Sequence, residues 1–249
     1  MKYLITLICL AIATIGRGQD QDNFDKATTL YQKGDYTQAA AVYSSILKSG
    51  KESSALYYNL GNTYYKLNNV PESIYYYEKA LQLDPKNADA KNNLIFANQM
   101  KVDAITPLPK TWVRQLSDGI VGLFSAHTWA VLSIIGVFAF VLSFLLYYFV
   151  ERTALKRTFF SLMLVFLFFA IGSYTLAHFC HKQVSQTQYA ILFDKTVRVF
   201  SDANAYSSEV MQLHEGTKVE IIEDAKDWVK IRLVNGKTGW IKVNSLRKL

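Results

Sequence analysis

The 249-residue chain is 51% hydrophobic and formally +7, with its apolar residues gathered into separate blocks, a distribution that excludes a single evenly patterned soluble domain. The charge divides into +2 for residues 1–18, −1 for 19–103, +4 for 104–186 and +2 for 187–249. The excess therefore lies around the most apolar blocks, no soluble part has the clustered basic face that phosphate binding requires, and nucleic acid is excluded as a partner.

The chain opens with MKYLITLICLAIATIGRGQD, in which Lys2 precedes a short apolar run and Gly16 and Gly18 follow it. This is the pattern of a secretory signal over residues 1–18. Cys9 is preceded by Leu7 and Ile8 rather than by small residues, so no lipid anchor is expected. With Cys9 in the signal, the mature chain keeps Cys180 as its one thiol and has no internal disulfide.

Next comes a repeat. GDYTQAAAVYSSIL (34–47) aligns with NNVPESIYYYEKAL (68–81) at a shift of 34 residues without a gap. The second copy places Tyr57, Leu60, Gly61 and Tyr64 on one predicted helix, Ser73, Tyr77 and Ala80 on the next, and Pro85 after it. It resembles the tetratricopeptide repeat, which implies an all-α solenoid over residues 19–102 with a concave, partner-binding groove. Gly61 and Ala80 allow close helix approach, and Pro85 stops the second helix. Tyr57, Leu60 and Tyr64 fill the space between. Tyr58, Asn59, Asn62, Tyr65 and Lys66 lie beside that packing stripe, and the resemblance places them in the groove.

The first copy has Asn23, Lys26 and Ala27 where the aromatic, leucine and glycine belong, so its first helix reads as an end cap. Ala90, Leu94, Ala97 and Met100 in 87–101 predict a closing helix. Five helices fall short of the roughly three repeats that stand alone, which leaves packing surface for a partner. Asn59 fits the clamp that some such arrays use for a peptide carboxylate, but Phe24 and Thr28 replace its other members, so no clamp is expected.

Residues 103–127 form a linker in which Pro107 and Pro109 precede Trp112, Val113, Leu116, Ile120 and Phe124. This reads equally as an interfacial helix or as a linker anchored by its tryptophan. Two blocks without any Asp, Glu, Lys or Arg follow, 128–150 and 158–179, each long enough to span a bilayer. ERTALKR (151–157) holds Arg152, Lys156 and Arg157 against Glu151, which places that loop in the cytoplasm and both flanking segments in the periplasm. Neither span carries a charge that would serve an ion path. Of His178, Cys180 and His181, only the two histidines share a helical face, so the cluster is read as interfacial, and no metal or cofactor is expected. Residues 180–186 form a second linker.

From 187 the pattern turns to period-two alternation, YAILF, TVRVFS, GTKVEIIED and DWVKIRLVNGKTGWIKV, with a hairpin turn at Asn235-Gly236. TVRVFSDAN, EGTKVEII, WVKIRL and GKTGWIKVNSL, in that order, resemble the bacterial SH3 domain. The resemblance implies a small all-β barrel over 187–249 that binds cell-wall peptides or proteins and carries no catalytic residues. Trp228 and Trp240 are the candidate recognition residues there, with a place in the core or barrel rim as the alternative.

Signal, repeats, two spans and SH3 module in this order resemble the BatE-type proteins of Bacteroidetes aerotolerance operons. That resemblance implies an inner-membrane complex with other Bat-operon proteins and a MoxR-type ATPase, linked to stress tolerance. The expected fold is a multidomain membrane protein: a solenoid, a two-helix hairpin and a barrel. Its expected function is a non-enzymatic periplasmic scaffold for envelope proteins. The alternative is a peptidoglycan-binding accessory subunit of an envelope enzyme, but the external segments offer only His127 and His214 away from the second span and no cysteine nucleophile. A sensor built on the His-Cys cluster is a third reading.

Overall fold

The computed structural model describes residues 21–109 and 111–249; the expected signal lies outside the described residues. Residues 21–32 are helical (α1). They are followed by α2 (Tyr36–Lys48), α3 (Ser54–Lys66), α4 (Val70–Leu83) and α5 (Ala88–Gln99).

The 34-residue period reappears bond by bond. The turn from α1 to α2 closes with Asp35 N donating to the Leu30 carbonyl at 2.9 Å, and Asn69 N repeats this on Tyr64 at 2.9 Å. Both turns require a left-handed residue, Gly34 at φ +86° and Asn68 at φ +56°. Ser53 caps α3 by accepting from Leu56 N, and 34 residues on Asn87 caps α5 by accepting from Ala90 N. The first copy, whose sequence departs most, keeps the packing too. Ala27 is wholly buried at the position of Gly61, and Phe24 meets the Tyr43 ring edge-on at 5.5 Å where, one repeat on, Tyr58 meets Tyr77 in a tilted contact at 6.1 Å. α1 therefore packs as a full member of the array, because alanine is small enough to stand where glycine was expected.

A Cβ on Gly61 would lie 2.5 Å from Tyr77 Cδ1, so the absence of a side chain there admits the Tyr77 ring. Tyr76 is stacked against Tyr57 and Tyr64, with centroids 6.0 and 5.5 Å away. Tyr57 and Tyr64 thus pack between helices.

The C-terminal part is an antiparallel sheet of β1 (Gln188–Leu192), β2 (Thr196–Phe200), β3 (Glu209–His214), β4 (Lys218–Ala225), β5 (Trp228–Arg232), β6 (Thr238–Lys242) and β7 (Leu246–Lys248), in the order β3-β2-β6-β5-β4-β1-β7. Its buried residues form one cluster that includes Val199, Leu213, Val219, Val229, Ile231 and Ile241. The expected two-residue Asn-Gly turn is instead a three-residue loop, 234–236, closed by Leu233 N to Lys237 O and Gly236 N to Leu233 O. Gly236 alone takes positive φ there, at +81°, as a type I turn ending in a left-handed glycine demands.

The solenoid and the sheet belong to one compact unit, 21–107 with Gln188–Leu249. β1 is the strand between them. Ala190 and Leu192 enter the sheet's own core, while Ile191 joins Ile74, Tyr77 and Ala97 of the helices. Alternation puts those side chains on opposite faces of the strand, and all three are fully buried. Burying an isoleucine in this way contributes about 1.5–3 kcal/mol. The packing surface expected to be left for a partner is thus covered in part, on α4 and α5, by the chain's own β1.

The second unit is Leu108–Thr187. α6 (Trp112–Val121) presents exposed Trp112, Leu116 and Ile120 at four-residue spacing, which makes the linker region helical. α7 (Ala126–Phe149) and α8 (Thr153–Gln186) are each long and apolar enough to cross a membrane. They meet at Gly136, where an added Cβ would lie 3.1 Å from Ala170, and Ser133 Oγ donates to the Ala170 carbonyl at 3.0 Å. Phe138, Phe149 and Phe168 point outward and are largely exposed. Of the expected 151–157 loop, 153–157 are already helix, and 180–186 continue α8. Polar residues end a span without ending a helix, and neither stretch contains glycine or proline.

Candidate functional site

Four helices of the first unit enclose a groove of about 300 Å³. Tyr58, Asn62, Tyr65 and Lys66 come from α3, Tyr77 from α4, Asn93 and Phe96 from α5, and Tyr31 from α1. Four of the five residues expected there are present. Asn59 is not among the lining residues: one position, about 100°, past Tyr58, it faces the Tyr43 hydroxyl of α2 instead.

The groove floor is a closed hydrogen-bond network. Tyr77 Oη donates to Asn62 Oδ1 at 2.6 Å, and Asn93 Nδ2 donates to the same oxygen at 2.7 Å and to Tyr58 Oη at 3.3 Å. Burial pushes the Tyr77 hydroxyl above the ordinary tyrosine range, so its proton stays in place as the donor. The Asn62 carbonyl is therefore already occupied, while among the described residues its amide nitrogen, the Asn93 carbonyl and the Tyr58 proton remain for a ligand. Phe96, 54% exposed, and Lys66 form the rim. Phe24 and Thr28, the positions that break the carboxylate-clamp pattern, serve the interior: Phe24 packs on Tyr43 and Thr28 Oγ1 lies 2.8 Å from Tyr43 Oη.

A second cluster of polar groups ties helices to sheet. Arg247 reaches both carboxylate oxygens of Glu72 at 2.8 Å while its guanidinium lies over the rings of Phe193, at 4.0 Å, and Tyr75, at 4.8 Å. Lys218 Nζ meets Glu78 at 2.7 Å. Asp103 accepts from His214 N at 2.6 Å and Thr217 Oγ1 at 2.7 Å, with His214 Nδ1 at 2.8 Å. Burial alone would raise the Asp103 carboxyl, but these hydrogen bonds outweigh it and hold the group below the ordinary carboxylate range. The Asp–His pair resembles part of a catalytic triad in composition only. The hydroxyl beside it is bound to the carboxylate, so the cluster fastens two parts of the chain.

On the sheet, Trp228 and Trp240 separate. Trp240 is 9% exposed, with Lys230 Nζ 5.6 Å from its centroid, and is held in packing. Trp228 is half-buried and stands edge-on to Phe200 at 5.5 Å, with Arg198 over the Phe200 ring. These side chains sit on β2, β5 and β6, whereas the contacts with the helical part come from β1 and Phe193 after it, β7, and residues 214–218 where β3 passes into β4.

The tetratricopeptide-repeat family profile matches residues 24–88, and that of the bacterial SH3 domain matches 195–246. A search of curated proteins found no match to the chain. The two domain types point to protein–protein interaction, with peptidoglycan as a further ligand class. The SH3 match begins beyond β1, so the strand that enters the solenoid lies outside the matched range.

Proposed function

We propose that the chain is a non-enzymatic, membrane-anchored scaffold of the bacterial envelope, with both soluble domains in the periplasm and the tetratricopeptide groove holding a segment of another envelope protein. The groove carries this reading. It offers rings, unpaired amide groups and the Lys66 cation at a place that the protein's own SH3 module leaves open. Such a surface suits a neutral or mildly acidic peptide segment. Mutual packing of the two modules supports one shared side of the membrane, since two crossings return the chain to the side it left. The basic 151–157 segment supports the cytoplasm as the opposite side. The overall order of modules supports an envelope stress or aerotolerance complex of the kind BatE-type proteins join.

Crosslinking and mass spectrometry from native membranes tests the proposal. Lys66→Glu with Phe96→Ala changes only rim residues, so loss of one defined envelope protein from the crosslinked set is expected with the melting curve unchanged. An undiminished set would move binding away from the groove. The half-buried Trp228 against Phe200, with Arg198 over that ring and Lys230 over Trp240, supports a second reading, peptidoglycan stem peptides as SH3 ligand. Retention of muropeptides alone, with no protein partner, would favour it.

A further inference from the structure

The turn between α7 and α8 holds a cavity of about 580 Å³, separate from the groove and from the SH3 face. Tyr147 comes from the last turn of α7, and Thr153, Lys156, Arg157, Phe160 and Ser161 come from α8. The five α8 residues recur at helical spacing, so they form one stripe along a single face. Composition changes along it: hydroxyl and cations at the helix start, then an aromatic ring one turn further into the apolar block.

The side chains are already ordered around this space. Lys156 Nζ lies 5.6 Å from the Tyr147 centroid, and the Tyr147 and Phe160 rings are 6.0 Å apart. Ser161 Oγ donates to the Arg157 carbonyl, which leaves Thr153, among the described residues, as the hydroxyl of the stripe open to a ligand. Among the described residues no carboxylate lies within ion-pair distance of Lys156 or Arg157. The first turn of α8 has no acidic residue, and its N-cap, Arg152, gives no side-chain cap. Two cations and the positive end of a helix dipole thus converge at the boundary of an apolar block without an anion.

We propose that this cavity binds one anionic phospholipid, its phosphate between Lys156 and Arg157 with the Thr153 hydroxyl, and its glycerol and first acyl carbons against Tyr147 and Phe160. The rings decide for a lipid over free phosphate, since a bare anion would use the cations and leave the aromatic wall unfilled. Topology alone does not account for the arrangement. Any cation in the loop would orient the hairpin, yet Lys156 and Arg157 share one cavity with a ring from the other helix, whereas Arg152 does not line it. The proposal rests on α7 and α8 being membrane spans and is independent of what the groove binds.

Native mass spectrometry of the full chain, released from nanodiscs of phosphatidylcholine containing phosphatidylglycerol, tests it. One retained phosphatidylglycerol per chain is expected. Lys156→Gln with Arg157→Gln should reduce retention at least tenfold, while Arg152→Gln stays near wild type and all three melt alike. Equal loss in the Arg152 variant, equal retention of phosphatidylcholine, or full retention by the double variant would overturn the site. Displacement of the lipid by millimolar inorganic phosphate would make it an anion site rather than a lipid site. Release of the chain from membranes by alkaline carbonate would sink the spanning reading, and this proposal with it. Carbonate-resistant protein that retains no lipid would sink the proposal alone.

Discussion

Tyr77 donates its hydroxyl proton to Asn62 at 2.6 Å in the place where, one repeat earlier, Thr28 and Tyr43 meet at 2.8 Å. The period therefore extends to a buried polar contact between the two helices of each pair, with the helix-two tyrosine constant and its helix-one partner varied. In the second copy that partner also lines the groove, so fold and ligand floor share one bond. Tyr77→Phe should cost about 1 kcal/mol, the net value of a typical hydrogen bond, and should raise the off-rate of any groove ligand by freeing the Asn62 side chain. Equilibrium denaturation with a captured peptide would measure both; a stability loss without altered binding would separate the floor from the site.

Gly61→Leu tests close packing. The added side chain runs into the Tyr77 ring, and overpacking typically costs about 1–3 kcal/mol. Ala27→Gly, at the equivalent place in the first copy, should cost only about 0.5–1 kcal/mol through backbone entropy. Similar losses in the two variants would contradict a ring contact specific to Gly61.

Asn68 and Gly34 occupy the same left-handed position. Asn68→Gly should be neutral or stabilising, whereas Gly34→Val should destabilise by about 1–2 kcal/mol, the penalty for a Cβ in that conformation. Thermal melting of the full chain reads the two opposite shifts.

The Asp103 contact predicts an acid limb in the docking of sheet on helices. Its carboxyl titrates lower in the folded state than in the unfolded chain, so its stabilisation is complete above the unfolded value of about 3.9 and disappears as pH falls through the folded value. Protection of the β1 amides from hydrogen exchange, corrected for the intrinsic pH dependence of exchange, should fall below about pH 4. Asp103→Asn should remove the pH-dependent part and cost about 1.5–3 kcal/mol at neutral pH, the range for hydrogen bonds to a charged group.

The proposed membrane sidedness is tested by labelling. With Cys9 and Cys180 replaced by serine, Lys66→Cys and Tyr206→Cys should both react with an impermeant maleimide added to spheroplasts, and Arg152→Cys should not. Tyr206 is fully exposed, so access does not limit its labelling. Opposite results at 66 and 206 would mean that the two modules do not share a compartment.

Much of the repeat packing is legible in the sequence. Identical spacing at 34 residues implies identical packing, and Tyr58, Asn62, Tyr65 and Lys66 share one face of a helix whose other face was identifiable by glycine and leucine. The groove residues from other helices, Tyr31, Tyr77, Asn93 and Phe96, were not, because convergence of four helices depends on their crossing angles, which no local pattern encodes. Docking of sheet on helices left one trace: AIL in β1 is a continuous apolar run in an otherwise alternating domain, the mark of a strand covered on both faces. Glu72 and Arg247 left none. At a separation of 175 residues, an acid and a base each look like ordinary surface.

The strand order carries a practical corollary for anyone isolating the SH3 module. A fragment cut at the family match, 195–246, would discard β1, whose two neighbours in the sheet are β4 and β7. Residues 218–221 of β4 would then lose the partners that β1 supplies at Ile191, Ala190, Tyr189 and Gln188. A free row of backbone donors and acceptors would face solvent next to Val219, a core residue. Such a border recruits strands from neighbouring molecules, so the trimmed domain should self-associate or precipitate where the intact chain does not.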